Sequence, residues 1–131
     1  DMAKLDEYPT IGSGNLKKEV ITQNGESTTY DSENDDDTEN IAAVAGGLGV
    51  VSLDKVADYS VEDEHLSEYG LYEKSRITVE ATYTEKKKEK VLTFYIGKED
   101  GSGNRYVMLN DSRIVYLIST EICNNILNVE D

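Results

Sequence analysis

From Arg76 to Thr84 (RITVEATYT) apolar and polar residues alternate, with Ile77, Val79, Ala81 and Tyr83 on one side and Thr78, Glu80 and Thr82 on the other. A period of two is the pattern of a strand that buries one face. Lys90 to Gly97, Arg105 to Leu109 and Arg113 to Ser119 read as three further strands. The links between them are EKKKE (85–89), a charged turn, then KEDGSGN (98–104) and NDS (110–112). Gly, Asn, Asp and Ser in the last two supply turn conformations. Strands joined by short links become neighbours, so the four predict an antiparallel meander. A helix follows from Thr120 to Leu127, with Ile122, Cys123, Ile126 and Leu127 toward the sheet.

The first half is less regular. Leu16–Thr22 and Ser27–Asp31 are short and β-prone, and Asn24-Gly25 between them predicts a hairpin turn, because both residues tolerate positive φ. A helix is expected from Thr38 to Gly46, capped by Asp37 or Thr38, with Ile41, Val44, Ala45 and Leu48 as its buried stripe. Gly46, Gly47 and Gly49 are expected to end it. They are not a phosphate cradle, since Val50 and Val51 follow where a Walker loop needs Lys and Ser or Thr. Val50–Tyr59 predicts a strand, and Ser60–Tyr69 a short acidic helical turn capped by Ser60 and stopped by Gly70. The fold class is α+β: an antiparallel meander sheet of about four C-terminal strands plus an N-terminal hairpin, with two to three short helices packed on it.

The composition narrows the chemistry. In 131 residues, 13 Lys and Arg face 27 Asp and Glu, a formal net charge of −14. Residues 1–40 hold eleven acids and three bases and residues 41–70 six acids and one, whereas residues 71–131 hold ten acids and nine bases. Such an excess disfavours nucleic acid, whose phosphates need clustered Lys and Arg. One Cys and one His exclude a disulfide scaffold and a Cys/His zinc site. No apolar run nears the roughly 20 residues that span a bilayer. The chain opens at Asp1 without an initiator Met or an apolar signal region, and any export signal or anchor is expected to lie outside it.

Three groups of residues invite a chemical reading. Asp31, Glu33, Asp35 and Asp37 alternate as calcium ligands would, but Asp36 stands where an EF-hand loop needs Gly and Ala42 where it needs the closing Glu. A solvated loop is the stronger expectation. His65, between Glu64 and Leu66 and two residues from Asp63, has carboxylates to orient it. It lacks a nucleophile: there is no Gly-x-Ser-x-Gly elbow, and Cys123 belongs to the core face of a helix. Nine Tyr against one Phe is the third oddity, with Tyr95, Tyr106 and Tyr116 on successive strands and Tyr83 on a fourth. If Leu92, Phe94 and Ile96 face the core, Tyr95 points outward. A row of such rings can bind a peptide, glycan or protein, or can simply cover a partly wet face.

Several segments together resemble a known family. LSEYGL (66–71) precedes the strand Ile77–Tyr83, and FYIG (94–97), GSGNRYVML (101–109), IVYLIS (114–119) and a short helix follow. In this order they are similar to the domain-of-unknown-function 4340 family over residues 38–127, with Lys74-Ser75 where members often carry Pro. On this basis the chain divides into an acidic segment, residues 1–37, and one α+β domain, residues 38–131. The resemblance implies an extracytoplasmic component of the bacterial envelope, often tethered in relatives by an N-terminal membrane helix or lipid; no active site comes with it. The resulting expectation is a non-enzymatic binding module with no cofactor, an envelope protein or ligand as partner, and membrane contact only through a tether. The alternatives are a cell-wall or glycan hydrolase using paired carboxylates and an acidic calcium-binding domain.

Overall fold

The computed structural model describes residues 6–129; residues 1–5 and 130–131, at the ends of the two segments, lie outside the described residues. Its strands are β1 (Leu16–Gln23), β2 (Glu26–Asp31), β3 (Val56–Asp58), β4 (Ile77–Glu85), β5 (Lys88–Glu99), β6 (Asn104–Leu109) and β7 (Val115–Ser119). The helices are α1 (Thr38–Gly49) and α2 (Thr120–Leu127), with 3-10 turns at Asp35–Asp37 and Asp63–Tyr69. The described strands form one antiparallel sheet in the order β2-β1-β4-β5-β6-β7-β3. The class is α+β, as the periodicity implies. The meander β4 to β7 is present, and the hairpin β1-β2 extends its sheet instead of standing apart, because β1 pairs with β4 from Leu16 to Thr22.

Turn chemistry sets the hairpins. Asn24 and Gly25 take φ of 54° and 80°, and Lys86 and Lys87 take 52° and 67°, so both β1-β2 and β4-β5 turn through two left-handed residues. The second pair is the less expected one, since neither is Gly or Asn.

The inner face of the sheet holds the main core. Ile21, Val79, Ala81, Leu92, Phe94, Ile96, Val107 and Ile118 are buried there against Ile41, Val44 and Leu48 of α1 and Cys123, Ile126 and Leu127 of α2. Ser119 caps α2, its hydroxyl accepting from the Ile122 amide at 3.1 Å. Two expectations are corrected here. Gly46 and Gly47 lie within α1, which runs three residues past the expected end at Gly46 and stops at Gly49. The reason is packing: a Cβ on Gly47 would stand 2.8 Å from the Ile126 nitrogen, so the glycine lets α2 cross closely. And of Val50–Tyr59 only Val56–Asp58 is strand, pairing with the edge of β7.

A β-bulge shifts the phase of β1 between Leu16 and Lys18. Without it Leu16, Lys18 and Val20 would share a face. With it Lys17 and Lys18 both remain exposed, and Glu19 joins Leu16 and Ile21 inside. Glu19 is 0% exposed, and neither carboxylate oxygen has a hydrogen-bond partner among the described residues. Burial pushes its pKa from 4.5 up to about 8.

Candidate functional site

The outer face of the sheet carries Tyr95 and Tyr106, and its two halves differ. On β4 the outward positions are Thr78, Glu80 and Thr82, which need no cover. On β6 and β7 they include Met108 and Val115, which do. The segment from Val61 to Leu71 supplies it: Val61 and Leu71 are buried against Met108 and Val115, with Leu66, Tyr69, Tyr95 and Tyr106 packed around them. This flap is pinned at both ends. At one end Arg113 donates through Nε and Nη2 to the Val61 carbonyl at 3.0 and 2.7 Å, and through Nη2 to Asp63 Oδ1 at 2.7 Å. At the other, Gly70 reverses the chain at φ 69°. There its backbone presses onto Gly97: a Cβ on Gly97 would collide with the Tyr69 carbonyl oxygen, and one on Gly70 would lie 2.5 Å from the Lys98 nitrogen. Between the two ends Tyr69 tilts against Tyr106, ring centroids 4.9 Å apart, and donates its hydroxyl to Asp58 Oδ2 at 3.1 Å. Desolvation, helped by that carboxylate, raises the pKa of the Tyr69 phenol.

The structure divides the three tyrosines. Leu92, Phe94 and Ile96 face the core, and Tyr95 lies half-buried on the outer face, opposite Thr78 and Met108. Tyr106 shares that face, opposite Leu117. Tyr116 does not, and its expected place in an exposed row is corrected. It pairs with Val107, an inward residue, and is 0% exposed. The register of β6 against β7 is one residue away from aligning the two rings, which sends them to opposite faces. The Tyr116 hydroxyl donates to Asp6 Oδ2 at 2.7 Å and accepts from the Asp6 amide at 2.9 Å, and burial lifts its pKa to about 12. Tyr83 is likewise buried on the core side.

Where the flap ends, a cavity of about 210 Å³ opens, lined by Arg76, Tyr95, Met108, Asn110, Asp111, Ser112 and Arg113. The Arg76 guanidinium lies over the Tyr95 ring, its Cζ 3.8 Å from the centroid. Its Nε is buried without a hydrogen-bond partner among the described residues. Arg76 was missed as a candidate by sequence reasoning. Its position two residues before Thr78 on the outward side of β4 is the signal that places it beside Tyr95.

The other candidates are not drawn together. Asp31 Oδ1 accepts from the Glu33 amide at 2.9 Å, and Asp37 Oδ2 accepts from the Asp31 amide at 3.0 Å, so these carboxylates shape the loop before α1. Asp35 and Glu33 are exposed. A larger cavity of about 440 Å³ beside this loop mixes Lys17 and Lys18 with Asp31, Glu33 and Glu89. His65 is exposed, 3.1 Å from Glu68 and 3.8 Å from Glu62. With Glu62 and Glu64 it forms a surface group whose ligand atoms lie within 4.8 Å of one another. Cys123 is buried in α2, and desolvation raises its thiol to about 11, which keeps it protonated.

A family model described as a domain of unknown function (DUF4340) matches residues 28–129. The chain belongs to this family. No curated protein and no solved structure gives a significant match. The DUF4340 match begins inside β2 and runs past α2, so it contains the flap, its two glycines and the arginine cavity, while β1 with Glu19 lies before it. In this DUF4340 domain the segments LSEYGL and FYIG, whose glycines are 27 positions apart, meet through the Gly70-Gly97 contact and by neither helix nor strand pairing. No helix of the described residues is long and apolar enough to cross a membrane.

Proposed function

We propose that this DUF4340 domain is a non-catalytic binding module of the bacterial envelope, working outside the cytoplasm and contacting its partner through the outer sheet face around Tyr95. The observation that carries the reading is the Arg76-Tyr95 stack beside an open cavity, on a face that the flap covers only in part. An aromatic ring with a guanidinium laid on it gives a partner apolar area and directed donors together, the combination that protein interfaces favour. A binding role is further supported by the separation of the reactive candidates: His65 sits on the flap's exposed side and Cys123 in the core behind the sheet. The envelope location draws its support from the family resemblance.

A photo-reactive residue placed at Thr93, one rung from Tyr95 on the same face, tests this in cells that make the natural protein. Labelling of one envelope component from position 93, and none from position 121 on the exposed side of α2, is the expected result. Equal labelling from both positions, or labelling of cytoplasmic proteins, would overturn the reading.

A further inference from the structure

We infer that the Arg76-Tyr95-Arg113 cavity is a carboxylate site, taking a singly charged acid that carries a short aliphatic neighbour; this deepens the binding reading above and rests on it. The chain has three arginines, Arg76, Arg105 and Arg113. Two of them line this one cavity, and the third is committed elsewhere, its Nε donating to the Gly97 carbonyl at 2.8 Å.

The donors in the cavity are left open. The Arg76 side chain makes no hydrogen bond or ion pair among the described residues and lies against the Tyr95 ring. Stacking fixes the guanidinium plane and leaves its N–H edge for a planar acceptor, the geometry that suits a carboxylate. Arg113 spends Nε and Nη2 on Val61 and Asp63, and its Nη1 has no partner among the described residues. Asn110 Oδ1 accepts from the Thr93 amide at 2.9 Å, which leaves its NH₂ as a donor. Ser112 Oγ accepts from the Ile114 amide at 3.2 Å, which leaves its hydroxyl hydrogen free to turn outward. Arg76 Nε is buried without an acceptor, and the donors of Asn110, Ser112 and Arg113, on exposed or half-buried side chains, would exchange water for the ligand's oxygens.

Charge and shape narrow the class. Asp111 lines the same cavity, and the chain as a whole carries −14. Both repel a phosphate dianion about twice as strongly as a carboxylate of one charge. The volume corresponds to about seven waters, room for a carboxylate and a small substituent but not for a sugar chain. Met108 and the Tyr95 ring give that substituent an apolar wall. A peptide ending in a small aliphatic residue presents this chemistry; a uronic acid presents the carboxylate on a hydroxylated ring, without the apolar neighbour.

Titration of the ¹⁵N-labelled protein, followed by amide chemical shifts, tests the assignment with four probes: acetyl-glycyl-alanine, its C-terminal amide, glucuronate and inorganic phosphate. Saturable shifts centred on Tyr95 and Asn110–Arg113 are expected for the free acid, with the amide weaker by about tenfold or more. Glucuronate binding as tightly as the peptide would show that the aliphatic neighbour is not read and would overturn that part of the inference; glucuronate failing would support the peptide terminus. Arg76→Gln should weaken the acid by about tenfold, and Asn110→Asp, which keeps the Thr93 bond but adds a charge, should do the same. The second variant decides the matter if the first fails to fold. Equal binding of acid and amide, tighter binding of phosphate, absence of saturable shifts at this site, or unchanged affinity in both folded variants would overturn the inference. If the cavity fails these tests while position 93 still labels an envelope component, the carboxylate assignment falls alone. If the cavity binds acids and the labelling fails, the broader reading falls instead.

Discussion

The two halves of the sheet obey the same alternation and end differently. In β4 the inner positions are apolar and the outer ones are Thr and Glu, and in β1 Leu16 and Ile21 face inward with Glu19 between them, so one layer of helix completes the packing. In β6 and β7 the outer positions are apolar too: Val107, Met108 and Leu109 are buried in succession, as are Ile114, Val115 and Tyr116. A strand buried on both sides needs a second cover, and the flap Val61–Leu71 provides it. The comparison locates the candidate site. Tyr95 stands on the strand between the two regimes, where the cover stops and donors face solvent.

Removing the second cover is the most severe way to break this contrast. Gly97→Ala would drive a methyl into the Tyr69 carbonyl and lift the flap, with an expected loss of about 4 kcal/mol in urea unfolding. A loss under about 1 kcal/mol would show that the clasp is not tight. In the singly covered half the expected effect has the opposite sign. Glu19 is ionised in the unfolded chain above its ordinary 4.5 but held neutral in the fold until about pH 8. Its ionisation therefore favours unfolding, and stability present below pH 4.5 is lost as pH rises through about 8. Glu19→Leu should stabilise the protein by about 3 kcal/mol at pH 8 and by much less at pH 4, measured by thermal melts across pH. A gain independent of pH would mean that the carboxyl is not held neutral. The mildest test compares like with like on the outer face. Val115→Ala, beneath the flap, should cost about 2 kcal/mol, whereas Val91→Ala, 53% exposed beyond its edge, should change stability by less than about 0.5 kcal/mol.

Much of this architecture was legible in the residues. The four C-terminal strands, the helix Thr120–Leu127, the Asn24-Gly25 turn and the inward set Leu92, Phe94 and Ile96 follow from period and turn chemistry. So does Tyr95 on the outer face. The flap could have been suspected from the unbroken apolar runs VML and IVY, which signal burial on both faces. The burial of Glu19 had no such signal, because the bulge that turns it inward depends on pairing with β4. Tyr116 was misplaced because strand periodicity gives the parity within β7 but not its offset against β6. The arginine cavity was hidden for a related reason: Arg76, Tyr95 and Arg113 lie on separate strands or loops and share only a neighbourhood.

Local patterns, then, determined which stretches of this protein are strand, turn or helix and which side of each avoids water, since those choices depend on residues a few positions apart. Tertiary structure alone decided what each side meets: the flap on Met108 and Val115, α2 on Gly47, Asp6 on a tyrosine 110 residues away, and Arg76 on Tyr95. Those contacts join distant parts of the chain, so their selection depends on how whole faces fit together, which no short window of residues contains.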